Sequence, residues 1–207
     1  LLCIVRDITE RKRMEEALRA RDAILEAISF GAQVFLQARL GEVEIQDILK
    51  RLGEAANVSR VYVFENYPGP NGEVYTSQRY EWCSGGITPQ IDNPDLQDFP
   101  MKASAFSRWV DLLSTGKPVF GVVGEFPAEE RPVLEAQNIL SLAVVPIFVS
   151  GQWWGFMGFD DCRSECRWSP AEMEALRAAA SLLGAAIERQ RAEEALRESE
   201  ERYRLLV

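Results

Sequence analysis

Two thiols and three carboxylates crowd into one short stretch: Asp160, Asp161, Cys162, Glu165 and Cys166. Thiolate and carboxylate oxygen together could hold a metal ion, and the Cys162-x-x-x-Cys166 pair could cycle between dithiol and disulfide. A structural zinc site takes four Cys or His ligands at tighter, paired spacing, and only these two soft ligands stand near one another. The expected reading is two loop thiols, with Asp160 and Asp161 capping backbone at a strand end and their charge in water. A second constellation is aromatic: Tyr62, Phe64, Trp82, Phe106, Trp109 and Phe156. Strand alternation puts Tyr62 and Phe64 on one face, and Phe156 on the same face of another strand as Trp154. Such residues suit an aromatic-lined cavity for a planar ligand, and they suit a filled core equally.

The 207 residues contain no histidine. The usual general base, phosphate acceptor and imidazole metal ligand are therefore missing, and no Ser-His or Cys-His arrangement can exist. No glycine-rich loop precedes a helix, so no phosphate cradle is apparent. The net charge of -9 argues against a nucleic-acid surface, which would be basic. No apolar run reaches the roughly 18 residues that span a bilayer. Four cysteines do not make a disulfide scaffold, and a reducing cytosol is the expected setting. Leu1 to Val5 reads as the cut end of a strand, and Arg202 to Val207 stops in mid-pattern, as in a fragment of a longer chain.

The elements that must position these residues are marked by periodicity. The pattern Arg-x-Arg-x-Glu-Glu-Ala-Leu-Arg occurs at Arg11–Arg19 and again at Arg189–Arg197, bracketing a globular middle between two charged helices. In the first, Met14, Leu18, Arg21, Leu25, Ile28, Ala32 and Phe35 follow a 4-3 heptad spacing, with Thr9 as N-cap. Ile28 to Phe35 is expected to pack on the domain and Met14 to Leu25 on a partner helix. The second starts at Ser169-Pro170-Ala171-Glu172, a capping box with proline at its first position, and runs to about Arg204. Its stripe changes face. Met173, Leu176, Ala180, Leu183 and Ile187 face the domain, whereas Ala192, Leu196, Ser199, Tyr203 and Leu206 face something else.

Between the rods, Glu42–Asn57 is an amphipathic helix. Arg60–Asn66 and Val74–Cys83 form a hairpin, Gly85–Pro100 a long loop or lid, Ala103–Ser114 a helix, and Lys117–Val123 a strand. Pro127–Gln137 is a short helix. Leu140–Val149 and Gln152–Asp160 form a second hairpin, with Pro146 at an edge or bulged position. The order gives an α+β fold with an antiparallel sheet and helices around it.

Ser141-Leu-Ala-Val-Val-Pro-Ile-Phe-Val149, Gly151-Gln-Trp-Trp-Gly-Phe-Met-Gly-Phe-Asp-Asp161 and Trp168-Ser-Pro-Ala-Glu172, with Ser59–Asn66 and Ser77–Trp82 upstream, resemble a GAF domain over roughly Ala23 to Arg189. Val5–Arg13 resembles the last strand and exit helix of a PAS domain, and Glu198–Leu206 the first helix of another. The resemblance implies a GAF-like antiparallel sheet of about six strands flanked by helices, with long N- and C-terminal signalling helices. It divides the chain into the end of a PAS domain at 1–10, a connector helix at 11–22, the GAF domain at 23–189, and a connector at 190–207 leading into another PAS domain.

The function so implied is a cytoplasmic sensory or relay module of a signal-transduction protein, expected to be a sensor histidine kinase and alternatively a diguanylate cyclase. The fragment itself is expected to catalyse nothing. It is expected to form a homodimer through Met14, Leu18, Leu25, Ala192, Leu196 and Tyr203, with flanking PAS domains and a downstream output domain as further partners. A ligand-free spacer and a GAF-like methionine sulfoxide reductase are the rival readings. GAF ligands lie on one face of the sheet, where Tyr62, Phe64, Trp82, Phe106, Trp109 and Phe156 fall. Bilin-binding members attach the chromophore through cysteine, commonly beside histidine. Cys83 is followed by Ser84, so neither covalent bilin nor histidine-ligated haem is expected, and no cofactor is identified. The scattered Asn-Lys-Phe-Asp-Glu pattern of cyclic-nucleotide binders has no counterpart here.

Overall fold

β-branched and aromatic runs, alternating in polarity, pair into a six-stranded antiparallel sheet. The structure, a computed structural model, describes residues 2–37, 41–69, 72–102 and 104–204. The side chains of residues 2–7, 9, 13 and 35–37 lie outside that description, as does Leu206. The strands are β1 (Arg60–Pro68), β2 (Val74–Cys83), β3 (Phe99–Pro100), β4 (Val119–Val122), β5 (Ser141–Val149) and β6 (Gln152–Asp161), in the spatial order β3-β2-β1-β6-β5-β4. The helices are α1 (Leu2–Gln37), α2 (Glu42–Ala55), α3 (Ser107–Leu113), α4 (Arg131–Glu135) and α5 (Pro170–Arg204). Leu2 to Val5 is helical and not the end of a strand, and α1 runs straight through Thr9, so the helix does not start there.

Each face of the sheet has its own core. On one face, α1, α2 and α5 bury Ile24, Ile48, Leu52, Leu176, Ala180 and Leu183 against Val61, Val63, Val145, Met157 and Phe159. On the other, α3, α4 and the long loop close over Tyr62, Phe64, Leu142, Val144 and Phe156. Pro146 pairs with Phe156 inside β5, but the β4 ladder ends at Val144, so the missing N–H falls on a stretch with one neighbour only.

The three long helices have a defined sense. Ala23 and Ala27 lie beside Glu54 and Ala55, and Gly31 lies against Ile48, so α1 runs antiparallel to α2. Ile45 shares a groove with Ile187 and Gln190, and Leu52 shares a gap with Ala179, so α2 runs antiparallel to α5. It follows that α1 and α5 run side by side in the same direction. Ser169 and Glu172 form the reciprocal capping box that starts α5: the Ser169 N–H donates to Glu172 Oε2 at 2.7 Å, and the Glu172 N–H to Ser169 Oγ at 3.2 Å. Buried residues along α5 end at Ala186. Beyond it Leu196 and Tyr203 stand exposed, as Met14 and Leu18 do on α1, and Ala192 is exposed too. Leu25 instead packs against the helical-side core.

Gly184 sets how closely α5 sits on β5. A Cβ there would lie 2.3 Å from the Phe148 carbonyl oxygen, which is backbone and cannot swing away. Alanine ordinarily gains up to about 1 kcal/mol over glycine inside a helix, whereas overpacking a core costs about 1–3 kcal/mol. Gly184→Ala is therefore expected to lower stability in urea denaturation, with the clash outweighing the helix gain; a rise would show that α5 is free to lift off the sheet.

Candidate functional site

The pocket side of the sheet is built around one buried cation. Arg60, at the start of β1, has 2% of its surface exposed. Its neighbours in register are Cys83 on β2 and Asp160 on β6. The guanidinium Nη1 donates to Asp160 Oδ2 at 3.4 Å, Nη2 donates to the Thr88 carbonyl at 3.4 Å, and Nε lies 3.4 Å from Glu81 Oε1. Tyr62 donates its hydroxyl to Asp160 Oδ1 at 3.0 Å. Glu81 also accepts from the N–H groups of Gln90, at 3.0 and 2.8 Å to its two oxygens, and of Ile91 at 3.0 Å. The long loop is thus tied to the sheet through the same carboxylate that balances Arg60.

Asp160 is fully buried, which corrects the expectation that its charge lies in water. Burial pushes its carboxyl up to about 7, while the Arg60 charge and the Tyr62 hydroxyl oppose the rise. Tyr62 rises well above its usual value, through burial first and the Asp160 charge second. Asp161 is also buried but does cap backbone. Its Oδ1 accepts from the N–H groups of Arg163 at 2.8 Å and Ser164 at 3.3 Å, and from Ser59 Oγ at 3.2 Å. The three described thiols are held in their protonated form at neutral pH: burial raises Cys162, and raises Cys83 and Cys166 to about 11. Among the described residues no group of three or more Cys, Asp or Glu could hold a metal.

Beside this cluster lies a cavity of about 60 Å³, with Tyr62, Phe64, Phe106, Trp109 and Phe156 in its walls. Phe64 and Phe156 stack at 4.9 Å between ring centroids, and Phe106 meets Trp109 edge-on at 4.7 Å. The Trp109 ring is held by its N–H, which donates to Glu130 Oε2 at 2.9 Å, while Arg108 clamps both oxygens of that buried carboxylate at 2.8 Å. Leu96, Phe99 and Met101, from the long loop and the residue after it, complete the wall. Alternation alone could not have placed these three, because the loop carries only a 3-10 turn (Pro94–Leu96) and the two residues of β3.

Trp82 is not in the cavity, and Trp154 does not share a face with Phe156; each correction has the same cause. Phe64 pairs with Gln78 but Val63 pairs with Tyr80, so Arg79 is an extra residue and the face of β2 reverses beyond it. Trp82 therefore points to the helices, its ring 2.1 Å from where a Cβ on Gly53 would stand. Likewise Ile147 pairs with Gly155 and Phe148 with Trp153, leaving Trp154 as the extra residue of β6, packed on the helical side. The sequence reading also missed Arg60, Gln78 and Glu81. For Arg60 the available signal was a charged residue in line with Tyr62 and Phe64 on an apolar strand face; the β2 face, with Thr76, Gln78 and Glu81, is polar throughout and gave none.

A GAF domain family model matches residues 42–187. This chain belongs to the GAF domain family. It is 42% identical, over 188 residues, to the methanogenesis regulatory histidine kinase FilI of Methanothrix harundinacea (strain 6Ac), covering 91% of this chain and 21% of that protein. The chain thus spans about a fifth of the length of its curated relative. The phycocyanobilin-bound GAF domain of a cyanobacterial phytochrome shares the fold at a TM-score of 0.64 and 17% identity, covering 84% of this chain and 96% of that one. The blue-light-absorbing PixJ GAF domain of Thermosynechococcus elongatus shares it at 0.63 and 16%, covering 78% and 96%. The six-stranded sheet and its flanking helices are accordingly a GAF fold. Among the described residues no helix is long and apolar enough to cross a membrane.

The Asp160 carboxyl titrates near 3.8 in the unfolded chain and near 7 in this GAF domain. Between those values the folded state keeps a proton that the unfolded state has released. Stability therefore falls as pH rises through the window and levels off above it, a change on the order of 4 kcal/mol. Asp160→Asn, which preserves shape and a partner for Tyr62, is expected to flatten this slope in denaturant midpoints measured from pH 4 to 8. An unchanged slope would assign the titration to another group.

Proposed function

We propose that this GAF domain is a sensory and relay module of a sensor histidine kinase, coupling occupancy of its cavity, or the state of a preceding domain, to a downstream output domain. The observation that carries the reading is the shared direction of α1 and α5. The N-terminal part of α1 leaves the domain at one end and the C-terminal part of α5 at the other. A displacement arriving along α1 thus meets α5 on the sheet and leaves along it. The 42% identity to a regulatory histidine kinase supports the same setting.

The route from the cavity to α5 is short. Tyr62, in the cavity wall, holds Asp160; Asp161 caps the turn that follows; and Ser169 starts α5 eight residues later. A ligand shifts such a two-state equilibrium only by its differential affinity for the two states, about 1.4 kcal/mol for each tenfold. Residues 1–10 are read as the end of a preceding PAS domain and 190–207 as a connector into a following one, the two copies of the Arg-x-Arg-x-Glu-Glu-Ala-Leu-Arg motif marking two junctions of one kind. The exposed Met14, Leu18, Leu196 and Tyr203 are read as homodimer contacts. The alternative output, a diguanylate cyclase, would leave the relay unchanged. The small size of the cavity favours one further reading, a ligand-free dimerisation spacer.

Native mass spectrometry of the chain at tens of micromolar is expected to give a dimer. The double variant Leu18→Glu/Leu196→Glu is expected to give a folded monomer with an unchanged circular dichroism spectrum. A monomeric wild-type chain would overturn the paired-rod reading.

A further inference from the structure

We infer that the cavity is selective for a small, uncharged, planar molecule that carries a hydrogen-bond donor, an amide being the representative class; this rests on the reading of the cavity as a ligand site. Charge decides the first property. Arg60 is the one cationic side chain in the cavity wall, and it is already balanced by Asp160 and Glu81. A carboxylate or phosphate ligand would bring a negative charge beside Glu81 and the Asp160 carboxyl with no unused cation to meet it, and burying an unpaired charge is strongly unfavourable. A cation fares no better, because Glu81 already accepts three N–H hydrogen bonds and faces Arg60, while Glu130 is consumed by Arg108 and Trp109.

The donor requirement comes from Gln78. This residue lines the cavity from β2, is 3% exposed, and its carboxamide oxygen has no hydrogen-bond partner among the described residues. A buried carbonyl oxygen without a donor is costly, so a ligand N–H or O–H placed against it gains more than the same group gains in water. The stacked Phe64–Phe156 pair and the Phe106 ring supply flat apolar walls. The volume of about 60 Å³ is well under the roughly 150 Å³ of an engineered cavity that takes up benzene, which limits the occupant to a few heavy atoms. The Gln78 backbone carbonyl accepts from Gln97 of the long loop, so the residue that would receive the ligand is also held by the loop that covers it.

Four probes of equal size separate these properties: acetamide (neutral, with donor), acetone (neutral, no donor), acetate (anionic) and acetamidinium (cationic). Ligand-observed saturation-transfer NMR on the whole chain is expected to show saturable millimolar binding of acetamide, at least about tenfold tighter than any of the other three. Gln78→Met, checked for an unchanged melting transition, is expected to abolish it. Acetone binding as well as acetamide would remove the donor requirement, and tighter acetate or acetamidinium would overturn the uncharged class; each of these results would leave the cavity as a ligand site. Undiminished acetamide binding by Gln78→Met would place the probe elsewhere and overturn the inference. Binding of none of the four would overturn this inference and count against the ligand-site reading itself.

Discussion

A guanidinium with almost no exposed surface is expensive to bury, and the pocket side of this domain is organised around that requirement. Arg60 sits on the central strand β1 and takes one carboxylate from β2, Glu81, and one from β6, Asp160. Removing one partner of such a buried cluster typically costs about 3–5 kcal/mol, because the survivor keeps its desolvation penalty and loses its compensation. A slip by one residue in β2 or β6 would carry its carboxylate to the opposite face. The cluster therefore penalises wrong registers on both sides of β1 more sharply than apolar packing can, since one aliphatic side chain substitutes for another at small cost.

The same cluster fixes what surrounds it. Glu81 has four oxygen lone-pair sites, and its partners here, besides Arg60, are two backbone N–H groups of the long loop. A loop of this length with so little regular structure is held by such specific bonds together with the packing of Leu96 and Phe99 on the pocket-side core. Tyr67 and Ser77 add further ties, through Asp98. Loop, cation and β6 are one connected polar unit, and the cavity is the apolar space left beside it.

What could be read from the sequence follows from how long each pattern runs. The stripe Met173, Leu176, Ala180, Leu183, Ile187 extends over several helical turns, and all five pack on the sheet side. The capping box at Ser169 is local chemistry and survives any tertiary context. Strand alternation is different, because one extra residue inverts everything after it. Arg79 and Trp154 are those residues, and each displaced one tryptophan from its expected face. Arg79 has no glycine or proline beside it, so no local signal announced that bulge; the one at Trp154 has Gly155 next to it and Pro146 beside Ile147 on the partner strand, which marks an irregularity without saying which residue of β6 is extra. Asp160 was misread for another reason: a carboxylate at a strand end is ordinarily exposed, and its burial is explained only by an arginine 100 residues away.

The tryptophan absent from the cavity is more informative where it stands. Trp82 is adjacent in sequence to Glu81 and Cys83, so β2 presents the Glu81 carboxylate to Arg60 on one face and the Trp82 ring to α2 on the other. The ring occupies the space that Gly53 leaves open on α2. A shift of β2 that loosens Glu81 from the loop must therefore move a bulky ring against α2, which shares the sheet face with α5 and packs against α1. This gives the two faces a mechanical connection that does not pass through the Asp160 turn. A polar unit beside the cavity on one side and a close-packed ring on the other are thus carried by one strand, β2.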